Sequence, residues 1–342
     1  MTMDALTSLF LLVDGLTNGA VYSLLGLSLV LVYTTTRVVN IAQGEYITFG
    51  ALTYASFLES TLAPVAYVVA AGGAVCLLLD LRRARHGQRS LLRPLAGYLG
   101  AFLALAVLCM LSLRLPFAGL RMLASAALVA ALGPIVYRLT VEPKPDSSTV
   151  VLVIIGVGVA MILHPLALLL WGPDPRPVPA LSDASLAFAG IGVGAQSLFI
   201  VAISLAAALA LYLFFRHTLA GKALRAASIN REGAEYCGIP VVFAGRLSYF
   251  LAAALSGLSG MLLAPLVTAH YEMGFVVGLK GFVGAAMGGL INYPLSVAGV
   301  FLVGALESFA SFLSSAYRDA LVFALVIPIL LWRNRGGAAH DE

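Results

Sequence analysis

The chain has 342 residues, of which 61% are hydrophobic and only 11% charged, with a mean hydropathy of +1.00. A water-soluble domain carries roughly 25% charged residues, so a soluble globular fold is excluded in favour of a polytopic membrane protein, whose spans need runs of about 20 apolar residues. The net charge of +4 does not point to a nucleic-acid partner, and the spacing of Cys76, Cys109 and Cys237 indicates neither a disulfide framework nor a metal site.

In chain order, the first segment carries Asp4 and no Lys or Arg before its apolar run. A signal peptide would begin with positive charge, so the run over about 9–33 is predicted as the first span and not a cleaved leader. Further spans are predicted near 43–60, 62–80, 95–113, 120–138, 149–171, 196–215, 247–268, 275–291, 295–313 and 319–332. This is an all-α transmembrane helical bundle of about 8–11 spans, short or broken helices included. The second and last runs are short. The pair 275–291 and 295–313 is Gly-rich and joined only by Asn292, Tyr293 and Pro294, so either can be a broken or re-entrant piece.

Lys and Arg in the loops set the orientation. With the N-terminus outside, the inner loops hold Arg37; Arg82, Arg83, Arg85, Arg89 and Arg93; Arg138 and Lys144; Arg216, Lys222, Arg225, Arg231 and Arg246; and Arg333 and Arg335. The outer loops hold only Arg114, Arg121, Arg176 and Arg318, so the C-terminus is expected inside. The longest outer loop runs from Trp171 to Gly190. Pro173, Pro175, Pro177 and Pro179 stiffen its start toward an extended course. It reads as a rigid linker or as a platform for an external partner.

Ionisable residues inside spans are expensive and default to functional suspects. They are Glu45, at the start of the second span, His164, Lys280 and Glu307. Lys280 and Glu307 are expected to pair within the membrane, which would offset much of the penalty of burying either. Small residues recur every four positions at Gly15, Gly19 and Ser23, at Ala252, Ser256 and Gly260, and at Gly284 and Gly288. Such spacing lets helix backbones approach closely in lipid.

The segment Arg216–Pro240 is the one long polar, helix-compatible run. Its good helix formers predict a helix over 219–237, with Gly238 at a left-handed C-terminal cap and Pro240 preventing continuation. Within it, EGAEYCG puts Glu232, Ala234 and Gly238 at offsets 0, 2 and 6. The segment is either a solvated loop or a surface shown to a partner.

That spacing resembles the "EAA---G" loop by which ABC importer permeases dock onto their ATPase, with Gly233 in place of the first Ala. A second resemblance lies in GLTNGAVYSLLGLSLVLVYTTTRVVNIAQGEYITFGA. It is similar to the N-terminal signature of branched-chain amino-acid ABC transporter permeases, the LivH-like subunit. Arg37, Val38, Asn40, Ala42 and Gly44 match, while Gln43 stands where that family has His and Glu45 where it has Asp. WGPDPRPVP, LAGKALRA, MGFVVGLKGFVGAAMGGL and LESFASFLSSAYRDALVFALVIPILLWRNRG resemble it in the same order. The likeness covers roughly 1–60 and 145–336 of one permease domain, 1–342. The stretch 61–144 departs from the pattern by an apparent extra helix pair.

The resemblance implies a multi-pass permease subunit of a bacterial-type inner membrane, working in a heteromeric importer. A second, related permease subunit would share the path, with lipid around both. Two cytoplasmic ATPases would bind ATP and Mg, and a soluble binding protein would deliver a branched-chain or other small amino acid. The chain itself would carry no cofactor and no catalytic residues. No Walker A pattern is present, since Gly221-Lys222 lacks its upstream Gly and is followed by Ala223. Arg231, Glu232, Ala234, Gly238, Ile239 and Pro240 would form the ATPase-coupling element. Asn18, Asn40, Gln43 and Glu45 would line the translocation path, or else cap broken helix ends. The rival reading is an ion-coupled secondary transporter or channel using Glu45, Glu307 or Lys280.

Overall fold

A computed structural model describes residues 5–85, 92–115, 117–143, 147–182, 184–188, 191–324 and 328. Arg89, Lys144, Arg333, Arg335 and most of the last predicted span, 319–332, lie outside the described residues. The elements are α1 (Ala5–Thr36), α2 (Gln43–Leu58), α3 (Val65–Arg85), α4 (Leu92–Arg114), α5 (Ala118–Thr140), α6 (Thr149–Trp171), β1 (Ser185–Phe188), β2 (Ile191–Gly194), α7 (Ala195–His217), α8 (Leu219–Ile229), α9 (Arg231–Tyr236), α10 (Val241–Val267), α11 (Met273–Met287) and α12 (Tyr293–Leu313). Helical residues resume at 318–324. Among the described residues, eight helices are long and apolar enough to cross a membrane: α1, α3, α4, α5, α6, α7, α10 and α12.

The order of burial follows from composition. α1 is the axis of the bundle: its most apolar window is 89% buried, against 17% for α6 and for α7. It packs on α12, α10, α7 and α11. Small residues bring these helices together. Gly15 and Gly19 of α1 lie against the backbone of Ala305 and Phe301 in α12, and Gly304 lies against Gly19 in return. α2 crosses α10 with equal intimacy: a β-carbon at Gly50 would overlap the Gly257 carbonyl, and one at Gly260 the Ile47 carbonyl. α3 and α4 sit at the periphery on α5, with large side chains such as Leu78, Leu99, Leu103 and Met110 exposed.

α2 and α11 are part-length helices of 16 and 15 residues. At 1.5 Å per residue each is about 24 Å long or less, short of a hydrocarbon core of about 30 Å. α2 starts inside the bundle and not at its edge, because Gln43, its first residue, hydrogen-bonds Ser256 in the interior of α10. The chain gets there by reversing after α1. Arg37 adopts a left-handed conformation (φ 59°), its N–H returns to the Tyr33 carbonyl, and residues 38–42 run back inward.

One end of the bundle gathers the end of α1, α8, α9 and Tyr293. The opposite end gathers Trp171, Glu59 and Ala269. There the Trp171 indole donates to Ser56 at 2.8 Å, Arg176 pairs with Glu59 at 2.8 Å, and an isolated bridge joins Arg176 to Ala269. β1 and β2 form an antiparallel hairpin at that end, with Ser185 opposite Gly194 and Phe188 opposite Ile191. An all-α reading of the sequence does not contain this hairpin: two four-residue strands at and just beyond the end of a loop that opens with four prolines carry little periodic signal.

Candidate functional site

Three polar constellations interrupt the apolar bundle. The first lies where α2 begins. Asn40 donates to Gln43 (3.1 Å), Gln43 donates to Ser256 (2.7 Å), and Ser256 shares a further hydrogen bond with Ser28 of α1 (2.9 Å). All four side chains are buried, so the chain satisfies polar groups that water does not reach. Two residues on, Glu45 is also buried. Its Oε1 lies 3.5 Å from His164 Nδ1 on α6, and its Oε2 has no hydrogen-bond partner among the described residues. The His164 ring rests near Tyr271, with centroids 5.7 Å apart.

The start of α11 meets the start of α2 at this level. A β-carbon on Gly44 would sit 3.1 Å from the Gly278 Cα, and Thr48 of α2 accepts a hydrogen bond from the Gly274 N–H (2.9 Å). The first turns of α2 and α11 therefore run side by side and antiparallel next to Glu45, Gly44 against Gly278 and Thr48 against Gly274. The structure brings Asn40, Gln43 and Glu45 to this place and leaves Asn18 apart. Asn18 lies far up α1, half-buried, and donates to Asp14 at 3.4 Å. Ser28 and Ser256 belong to the cluster, yet no motif marks them. Ser256 reads from sequence as one step of a packing stripe, and only the crossing of α2 over α10 gives it partners.

The second constellation joins α1, α11 and α12. Lys280 donates to Glu307 at 2.6 Å and pairs with Asp319 at 2.8 Å. The Tyr22 hydroxyl donates to the other Glu307 oxygen at 2.7 Å. Arg318 approaches both Glu307 and Asp319 at 3.4 Å. Lys280 is 2% exposed, so this network lets a full positive charge sit inside the bundle. Arg138 makes a comparable tie among α3, α4 and α5. It is assigned to a loop by charge counting, but it is buried within α5 and bonds both Asp80 and the Tyr98 hydroxyl. Nearby, Arg246 makes a two-pronged bond to Glu142 at 2.8 and 2.9 Å.

The third constellation is the polar run 216–240. It forms two helices, where the sequence predicts one over 219–237. The break falls at Asn230, whose side chain accepts the Gly233 N–H (2.9 Å) and so caps α9. Asn is a strong N-cap and a weak helix former. At the far end Gly238 takes φ 78°, the Gly238 N–H bonds the Glu235 carbonyl, and the Ile239 N–H bonds the Ala234 carbonyl. This is the paired hydrogen-bond pattern of a Schellman cap. Pro240 then caps α10.

Ala234, Leu224, Ala227 and Ala244 cluster under α8 and α9 and fix them to the bundle. Arg231 and Glu232 are exposed, and so are Leu219 (85%), Ile229 (75%) and Tyr236 (90%). A surface pairing charges with large apolar groups in this way is typical of one that meets another protein. Arg37 donates to the Ser228 carbonyl (3.1 Å) and links α8 to the α1–α2 reversal, above a cavity of about 310 Å³ lined by Thr34–Arg37 and Ala227–Glu232.

The sequence pattern of the family described as the permease component of branched-chain amino acid transport systems matches residues 11–83 and 95–330. Over 132 residues the chain is 30% identical to the high-affinity branched-chain amino acid transport system permease protein LivH of Salmonella typhimurium and of Escherichia coli K12, and to the corresponding protein BraD of Pseudomonas aeruginosa. Each of these alignments covers 38% of this chain and 43% of the relative, so the chain spans less than half the length of the curated relatives it matches.

Proposed function

Because the chain belongs to the branched-chain amino acid transport system permease family, we propose that it is the transmembrane subunit of an ATP-driven ABC importer, forming the path for a small hydrophobic amino acid such as leucine, isoleucine or valine. It is a multi-pass inner-membrane protein.

The observation that carries the importer reading is the α8–α9 unit. It is a short rigid pair of helices at one end of a membrane bundle. It is capped at both ends, and it presents Arg231, Glu232, Leu219 and Tyr236 outward. A stiff element can transmit a push, and this one leads through Gly238 and Pro240 directly into α10, whose Ser256 holds the start of α2. Two cytoplasmic ATPases would dock on it, hydrolysing ATP with Mg in their own sites. A second, homologous permease subunit would complete the path, and a soluble binding protein would deliver the solute at the opposite end, where the β1–β2 hairpin lies. In this arrangement the N-terminus is outside, and the C-terminus and α8–α9 are in the cytoplasm, a placement that the Lys and Arg distribution supports.

Co-expression with the candidate ATPases and partner permease, followed by reconstitution into vesicles, tests this reading. The expected result is stable co-purification and uptake of radiolabelled leucine that requires both ATP and the binding protein. Uptake by this chain without ATPases, driven by an ion gradient, would replace the importer reading with a secondary transporter.

A further inference from the structure

We infer that Glu45, with His164 as its resting partner, forms a subsite for the primary ammonium group of the permeant. The inference rests on the permease reading above and assigns chemistry to one place on its path.

Among the described residues two glutamates are buried, and their surroundings differ in kind. Glu307 is fully occupied by the protein: Lys280 and the Tyr22 hydroxyl each take one oxygen at hydrogen-bond distance. Glu45 is 3% exposed, yet among the described residues its Oε2 has no hydrogen-bond partner, and its Oε1 has only the His164 ring at 3.5 Å. That separation lies outside a good N–H···O bond. Among the described residues no Lys or Arg pairs with Glu45, and the neighbouring Glu272 is occupied by the Tyr271 hydroxyl at 2.8 Å. A buried carboxylate left this short of partners is the unfavourable state. Glu307 is therefore explained by structure alone, and Glu45 is not.

His164 is 36% exposed on a helix that packs lightly, so its ring can give way to a ligand arriving from its open side. A compact cation with several N–H donors is the complement of the free Oε2. A zwitterion supplies such a group at one end and a carboxylate at the other. An α-amino acid carries this ammonium group, and a neutral amide or an oxo acid does not.

The test uses the assembled transporter in vesicles and dicyclohexylcarbodiimide, which modifies carboxyl groups in apolar surroundings. The adduct at Glu45 is measured by mass spectrometry, with Glu307 as the internal control. Leucine at about ten times its Kd is expected to lower labelling of Glu45 about tenfold and leave Glu307 unchanged, while the oxo acid of the same skeleton, 4-methyl-2-oxopentanoate, leaves both unchanged. Equal labelling with and without leucine overturns the inference. So does equal protection by the oxo acid, which would mark a change of shape and not recognition of the ammonium. Glu45→Gln is expected to assemble normally and lose at least about tenfold in leucine uptake, about 1.4 kcal/mol of transition-state stabilisation; wild-type uptake in that variant also overturns it. The labelling needs no ATP, so its outcome is separate from that of the importer reading, which fails if wild-type vesicles show no ATP-dependent uptake.

Discussion

Lys280 stands between two carboxylates, and this makes the consequences of removing each partner unequal. Lys280→Met leaves the buried Glu307 with the Tyr22 hydroxyl and the half-exposed Arg318 at 3.4 Å, whereas Glu307→Gln leaves Lys280 still paired with Asp319 at 2.8 Å. Stranding a buried charge is destabilising by about 3–5 kcal/mol. Lys280→Met is therefore expected to lose on that order, and Glu307→Gln clearly less. The double variant should recover part of the Lys280→Met loss, because no lone charge remains inside. Thermal unfolding followed by size-exclusion chromatography in detergent measures all three. Equal, additive losses would show that the two residues act independently. Both charges stand out in the sequence because they interrupt apolar runs. Tyr22 and Asp319 do not, since a tyrosine in a span and an aspartate at a span's edge are ordinary until α1 and the 318–324 segment are brought beside α11.

At the scale of elements, the cap after α9 and the α2–α10 crossing each make a prediction. Gly238 holds φ 78°, where an L-residue is strained by about 1–2 kcal/mol. Gly238→Val is expected to leave membrane insertion intact, disorder the turn into α10, and reduce ATP-dependent uptake by at least about tenfold, which is about 1.4 kcal/mol. Glu232→Lys should release the ATPase from the purified complex, because it reverses a charge on the exposed face proposed for docking. Co-purification and uptake assays read both, and normal transport in the two variants would remove α8–α9 from the coupling role.

In the crossing, Gly260→Val places a side chain onto the Ile47 carbonyl, a backbone atom that cannot rotate away. Overpacking of this kind destabilises by about 1–3 kcal/mol or more, to be seen as a lowered unfolding temperature. The cap was legible in the sequence because Gly238 and Pro240 are backbone signals. The break at Asn230 had a signal too, an N-cap residue ahead of Arg-Glu-Gly, but good helix formers on both sides outweighed it.

Across the whole molecule, the proposed orientation puts the β1–β2 end outside and α8–α9 inside. A Ser182→Cys substitution in a Cys237→Ser background should react with a membrane-impermeant thiol reagent in intact cells. The native Cys237, which is exposed at the end of α9, should react only after the cells are opened. The opposite pattern would invert the topology and put the coupling surface on the wrong side of the membrane from ATP.

Membrane class, the approximate positions of the spans and the resemblance to a permease family were all determined by the sequence alone. The physical reason is that hydrocarbon imposes its demand locally: each span must be apolar over about 20 consecutive residues, so its signal is contiguous in the chain. The runs that became α3, α4 and α5 illustrate this, since each is long and apolar and carries Arg in its last turn. What only the tertiary structure decided is how polar groups are shared between helices. That α2 and α11 start within the bundle, that Ser256 joins Gln43 to Ser28, and that Glu45 faces His164 while Glu307 is saturated by Lys280 and Tyr22, all depend on contacts between residues far apart in the chain. Those contacts are set by which glycine faces let which backbones approach, and a small residue in a sequence does not say what it will lie against.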